Sequence, residues 1–385
     1  MFTKMRRRVR DLQTSLQSQG VDMAIIMDAD SIFYYAGVHD HVEMEIGRPM
    51  ILCVSCRGEV VLLCPDLELN MARAMTWVER IEPWSDGVNG EWRSLLKGAL
   101  GTAPIMLGLE LTKTHPPLLS YIHDQHPKAR IADIGGECAR QRLIKDDEEI
   151  AIMRKAGLVA VEMCRAARDM IAPGVTEYEL GLAIAAAGTR KSAELLADER
   201  EPLAALFSPM IHGPQVLQSG PNMHMVHKRA GNRRIESGES VYMCFCNNAE
   251  YRYMKVGFDR QYFLGGCTPQ AAKAYDQALT AQKIALNAIR PGIKASEVHQ
   301  ATAEYYSSLG SEACYRTGRA VGYSRLERPE LSAADETVLA KGMTFAVDGA
   351  VSLGDGAVGR VGDTIVVTED GFDYITVMDK TLCVL

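Results

Sequence analysis

The chain has 385 residues, 47% of them hydrophobic and 24% charged, with a formal net charge of −7 and a pI near 5.8. That length exceeds what one hydrophobic core usually organises and predicts two domains. The acidic balance argues against nucleic acid or an anionic membrane as partner, and no stretch approaches the ~20 apolar residues of a membrane span.

From the N-terminus, Arg6-Arg7-Arg8-Val9-Arg10 reads as a solvated helix face, with Val9, Leu12 and Leu16 at helical spacing and Gly20 as the stop. No apolar run here is long enough for a signal peptide, and the ten cysteines are scattered. The expectation is a cytoplasmic protein with reduced, mostly buried thiols. Ala24–Met27, Met50–Val54, Val60–Leu63, Ile105–Leu109 and Arg130–Asp133 read as short strands between helical stretches, giving a small α/β domain over residues 1–144. Cys53 and Cys56 stand three apart, but in strand-like sequence that argues against a zinc or redox role.

Composition changes at Lys145-Asp146-Asp147-Glu148-Glu149, where four acids open a long amphipathic segment, as suits a helix N-terminus. The second domain, 145–385, carries an internal repeat. Ile171-Ala172-Pro173-Gly174-Val175-Thr176 separates two helical segments, with Thr176 and Glu179 forming a capping box. Ile289-Arg290-Pro291-Gly292-Ile293-Lys294 repeats the device. Two similar α+β halves packed together would leave a cleft at their pseudo-twofold junction.

Four stretches of this domain resemble the creatinase, aminopeptidase P and prolidase superfamily, whose catalytic domain has the "pita-bread" fold. Ser219-Gly220-Pro221-Asn222, followed by His227, is similar to its S-G-x-N…H segment. Gly318-Arg319-Ala320-Val321-Gly322 replaces G-H-x-x-G, and Gly342–Asp348 matches G-M-x-x-x-x-E/D. Arg360–Gly371 matches the closing R-x-E-D-T-x-x-V-T-x-D-G strand. The resemblance implies an α+β protein, with a small α/β N-terminal domain before a pita-bread catalytic domain. It also implies a homodimer with the site at the subunit interface.

Metal-dependent members hold two cations with two Asp, one His and two Glu. By the same matching, those positions fall here on Cys246, Gly257 (or Asp259, two residues on), Arg319, Asp348 and Gly362. One carboxylate and one guanidinium cannot hold a dinuclear centre, because Arg only donates and stays charged. The expectation is therefore no catalytic metal and no cofactor. Retention of His227 with loss of the ligands is similar to the metal-free creatinase branch, with an ectoine-hydrolase-like relative nearby. In creatinase the matching His transfers protons, and an arginine from the partner's N-terminal domain, matched by Ile46-Gly47-Arg48, holds the substrate carboxylate. Two further creatinase histidines are replaced by Arg319 and Gly362, which speaks against creatine itself.

Cleaving a C–N bond without a metal needs an activated water, a proton for the leaving nitrogen and a stabiliser of charge. Histidine can supply the first two in turn, a carboxylate can orient it or bind a cationic amidine, and arginine can fork onto a carboxylate. The candidate catalytic residues are His227, Asp259 and Asp348. The candidate substrate-binding residues are Arg48, His224, Arg319, Arg325, Glu45 and Tyr253. Each has a structural alternative: Asp348 could simply pair with Arg319, Asp259 with its neighbour Arg260, and Cys246 could be a core thiol. The leading expectation is a metal-independent hydrolase of a small amidine, guanidine or amide. A lyase using the same His and a non-catalytic ligand-binding protein stay open beside it.

Overall fold

The computed structural model describes residues 1–39, 48–101, 105–214, 216–246, 248–324, 326–354 and 357–385. It divides into two compact units, Met1–Arg142 and Leu143–Leu385.

The first unit is a sheet flanked by helices. Its strands are β1 (Met23–Ile26), β2 (Ile51–Ser55), β3 (Val60–Pro65), β4 (Arg80–Trp84), β5 (Met106–Leu109) and β6 (Arg130–Asp133), in the order β4-β3-β2-β1-β5-β6. The apolar runs β1 to β3 are almost wholly buried, as expected of strands covered on both faces. Helix α1 (Phe2–Ser18) buries Val9, Leu12 and Leu16, and Gly20 beyond it has φ +67°. The basic run is less uniform than its charge suggests. Arg8 is buried, with its guanidinium 4.0 Å over the Tyr34 ring, so its stem and plane serve packing. Helices α2 (Ala29–Ala36), α3 (Leu69–Met75), α4 (Trp92–Leu100), α5 (Pro116–Gln125) and α6 (Gly135–Leu143) complete the chain up to the boundary. Strand β4 and helix α2 were not read from the sequence, because neither shows the clean alternation or helical period that marks a short element.

The second unit opens with α7 (Asp147–Met170), capped reciprocally by Asp146 and Glu149. Helix α8 (Glu177–Ala197) follows, with the expected Thr176–Glu179 box. The repeat returns as α9 (Pro269–Ala288) and α10 (Ala295–Ser308). The strands are β7 (Val216–Ser219), β8 (Ser240–Cys244), the hairpin β9 (Glu250–Tyr251) and β10 (Met254–Lys255), β11 (Asp259–Phe263), β12 (Gly318–Ala320), β13 (Glu327–Leu331), β14 (Thr344–Ser352), β15 (Val358–Val367) and β16 (Phe372–Tyr374). The main sheet runs β13-β12-β14-β15-β11-β8-β7, antiparallel at each of these pairings, with β16 on β15.

One face of β14 and β15 lies directly under α9. A Cβ on Gly349 would stand 2.1 Å from the Ala278 carbonyl, and one on Gly359 would stand 2.3 Å from that of Ala274. Only glycine lets the helix backbone approach this closely. The opposite face therefore carries the side chains that can form a cleft.

Candidate active site

Strand pairing brings the chemistry-bearing residues to one place. Asp348 on β14 and Asp259 on β11 both register with Gly362 of β15, which lies between them. A Cβ on Gly362 would come within 2.7 Å of an Asp348 carboxylate oxygen and 2.9 Å of one from Asp259. The glycine leaves no void: the two carboxylates close over it. Arg319 on β12 reaches Asp348 at 3.3 Å. A Cβ on Gly257 would lie 3.3 Å from Cys246 Sγ and 3.6 Å from Arg319 Nη2. The five positions matched to metal ligands thus do converge, as Cys246, Gly257, Arg319, Asp348 and Gly362. Asp259, two residues after Gly257 and so on the same strand face, joins them.

Alternation along β8 and just beyond it directs Tyr242, Cys244 and Cys246 to this face. Tyr242 Oη donates to Asp259 Oδ2 at 2.9 Å, and Cys246 Sγ donates to Asp259 Oδ1 at 3.3 Å. Asp259 is buried, and its partners are these two groups rather than Arg260. Arg260 points to the other face. There it binds Asp363 at 2.8 Å and donates to the carbonyls of Asp259 (2.8 Å) and Gly362 (3.0 Å). That ion pair, with Lys380 3.0 Å from the second Asp363 oxygen, fixes the backbone that presents the two site residues.

The electrostatics follow from packing. Burial, and then the charge of Asp259, push the Asp348 carboxyl up to about 6, against the pull of Arg319. The neighbouring Cys246 and Asp348 hold the Arg319 guanidinium firmly protonated despite its burial. Tyr242 is raised well above its usual value by burial and by Asp259. Arg360, on β15 two residues before Gly362, stacks 5.0 Å from the Tyr242 ring and donates to Gln218 Oε1 at 3.2 Å. Among the described residues it pairs with no carboxylate.

Of the other expected site residues in the second unit, none that is described shares a side-chain hydrogen bond or ion pair with this cluster. His224 ends a short 3-10 turn, Gly220–His224, and His227 follows in the loop; both are exposed. Neither makes a hydrogen bond or ion pair with a described residue. Arg48 belongs to the first unit and pairs with Asp86 at 2.6 Å. Tyr253 sits with Arg252 at positive φ in the two-residue turn between β9 and β10, where its ring carries Lys255 Nζ at 3.6 Å. Glu45 and Arg325 lie outside the described residues. Tyr242 and Arg360 were missed as site residues, and Cys246, matched to a ligand position, was read as a core thiol in preference to a nucleophile. The signal was the period-two spacing of Tyr242, Cys244 and Cys246, which names a shared face but not which face.

Two hard dications need several oxygen ligands each. Two of the matched positions are glycines, one is a thiol and one a guanidinium, so this donor set does not fit them. Cys244, Cys246 and Asp259 do offer atoms within 4.8 Å of one another. Their bonding runs otherwise: both Asp259 oxygens accept hydrogen bonds, and Arg319 lies against Cys246.

Comparison with known proteins agrees with the architecture. The creatinase/prolidase N-terminal domain pattern matches residues 8–144, and that of metallopeptidase family M24 matches residues 151–369. The chain is 29% identical to the agropine synthesis cyclase of Rhizobium rhizogenes, over 97% of this chain and 95% of that one. It is 24% identical to the Xaa-Pro dipeptidase of Pyrococcus furiosus, over 98% of this chain and all of that one. In structure it matches the prolidase of Pyrococcus horikoshii at a TM-score of 0.82 and 21% identity, covering 98% and 99% of the two chains. No helix among the described residues is long and apolar enough to cross a membrane. The chain belongs to metallopeptidase family M24, with the two-domain pita-bread architecture of the creatinase, aminopeptidase P and prolidase superfamily.

Proposed function

We propose that this chain is a metal-independent hydrolase that cleaves a C–N bond in a small amidine, guanidine or amide bearing a carboxylate. The observation that carries the proposal is Arg319, standing with Asp348 and Cys246 at the matched metal positions, where Gly257 and Gly362 offer no ligand. Arg319 would stabilise the negative charge that develops on the substrate during attack. Asp259 and Asp348 would handle protons at the reacting atoms, Asp348 serving the leaving nitrogen, and His227 would act as base and acid towards water. Arg360, half-buried and without a carboxylate partner among the described residues, suits a substrate carboxylate. Arg48 would add a second clamp across a homodimer interface.

A relative named as a cyclase, aligned over nearly the whole chain, favours a second reading. If the substrate's own hydroxyl or amine takes the place of water, the same acyl chemistry closes a ring. Both readings are tested by mass spectrometry of a panel of guanidino acids, cyclic amidines, N-acyl amino acids and hydroxy acids, run in water enriched in ¹⁸O. Hydrolysis puts the label into the product; ring closure leaves it out. A His227→Ala variant as active as the parent would remove that residue from the reaction.

A further inference from the structure

We infer that Cys246 is a covalent nucleophile, activated by Asp259 and Arg319 and carrying the substrate's acyl or amidino group as a thioester-type intermediate. The inference rests on the metal-independent reading and names its first chemical step. Nucleophilic cysteines are marked by a base within hydrogen-bond reach and a third group that orients the base. Here Cys246 Sγ donates to Asp259 Oδ1 at 3.3 Å, and Tyr242 Oη holds the other oxygen at 2.9 Å. Arg319 lies against Cys246, where its cation would balance charge on the sulfur as the bond to carbon forms. The sequence showed no base next to Cys246, because Asp259 comes from a strand thirteen residues away.

Asp348 is the partly open member of the cluster. Cys246 is 3% exposed, but the Asp348 side chain is 30% exposed, and Arg319 bridges the two. A small planar carbon centre entering at Asp348 would come beside the guanidinium that lies against the sulfur. The other thiols differ. Cys53 and Cys164 are buried, which pushes them up to about 12 and about 11, and Cys164 is hydrogen-bonded to the Tyr262 hydroxyl at 3.3 Å. Cys244 shares the cluster but is raised well above its usual value by Cys246 and by burial, and Cys314 is exposed.

The step balances without a redox partner. Asp259 takes the thiol proton, and the sulfur attacks the carbon of the C–N group. The carbonyl or amidine π pair moves to its heteroatom beside Arg319. Collapse of the adduct breaks the C–N bond, and the nitrogen leaves with a proton from Asp348. Water, or an internal hydroxyl or amine of the substrate, then gives its proton back to Asp348 and attacks the carbon. The C–S bond breaks, and the sulfur recovers its proton from Asp259.

The test treats the intact chain with 4-nitrophenyl acetate and, separately, with iodoacetamide, and locates the modified thiols by peptide mass spectrometry. Cys246 is expected to be acylated and alkylated faster than the exposed Cys314, the reverse of their order of exposure. Asp259→Asn is expected to slow both reactions at least tenfold. Cys246→Ala and Cys246→Ser are expected to lower kcat on any substrate of the panel by about a thousandfold or more. Modification of Cys246 no faster than of Cys164 overturns the inference, as does tight metal that shields Cys244 and Cys246 from both reagents. Turnover that persists in EDTA and in Cys246→Ala, yet is lost in Asp348→Asn, would overturn the nucleophile while leaving the metal-independent reading intact. Turnover lost in EDTA would overturn both.

Discussion

Asp348 joins solvent to the buried cluster, and its surroundings set when it can act as an acid. Its carboxyl is lifted from 3.8 to about 6, first by burial and then by the Asp259 charge. An acid must be protonated to serve the leaving nitrogen, so kcat is expected to fall as pH rises through about 6. Asp348→Asn is expected to lower kcat by about 10²–10⁴-fold and to flatten that limb. Arg319 pulls the same carboxyl downward, so Arg319→Gln should move the limb to higher pH. A pH–kcat series on the three proteins decides it, and an unchanged limb in Asp348→Asn would assign the titration elsewhere.

The sequence carried part of this. Motif order placed Asp348, Arg319 and Gly362 at equivalent positions, and strand register does bring them together. It could not tell whether Asp259 pairs with Arg260. That depends on which face each occupies, and adjacent strand residues always face apart. It also took Cys246 for a core thiol, since its partners lie on other strands.

At the scale of elements, the cluster depends on a layer behind it. Arg260 ties β11 to β15 through the carbonyls of Asp259 and Gly362, and is neutralised by Asp363. Both side chains are almost wholly buried, and removing Arg260 leaves Asp363 to Lys380 alone and strips the carbonyls of Asp259 and Gly362 of their shared donor. Arg260→Met is therefore expected to destabilise the chain by about 3–5 kcal/mol, read as a lower denaturation midpoint. A midpoint equal to the parent's would show that the pair is dispensable.

In the first unit Glu110 provides a separate, signed test. Burial and then Asp28 raise it from 4.5 to about 7, despite Arg142. The native state thus holds this proton more tightly than the unfolded chain. The contribution is complete below about pH 4.5 and is lost as pH rises to about 7. Glu110→Gln, which stays neutral, should gain on the parent in thermal midpoint above pH 7 and show little difference near pH 4.5. The opposite ordering would mean that Arg142 keeps the carboxylate ionised throughout.

Across the whole molecule, the repeat was the most legible feature. Two helix–Pro-Gly–helix devices mark α7/α8 and α9/α10, and the acidic run at 145–149 marks the start of α7. These are local signals: caps, breakers and charge at helix ends. The sheet order was not legible, because pairing β11 with β15 joins segments about a hundred residues apart in sequence. The proposed dimer belongs to this scale too. If Arg48 serves the partner's site, mixing inactive Arg48→Ala and His227→Ala proteins should restore part of the activity after subunit exchange. No recovery after confirmed exchange would confine Arg48 to its pair with Asp86.

The central claim is that this M24 chain works without the metal its family name implies. The most direct measurement purifies the protein without chelator, determines bound metal by mass spectrometry, and follows turnover of the substrate panel with and without EDTA. The account predicts substoichiometric metal and turnover unchanged by EDTA. Stoichiometric metal with EDTA-sensitive cleavage would contradict it and return the chain to the metallopeptidases.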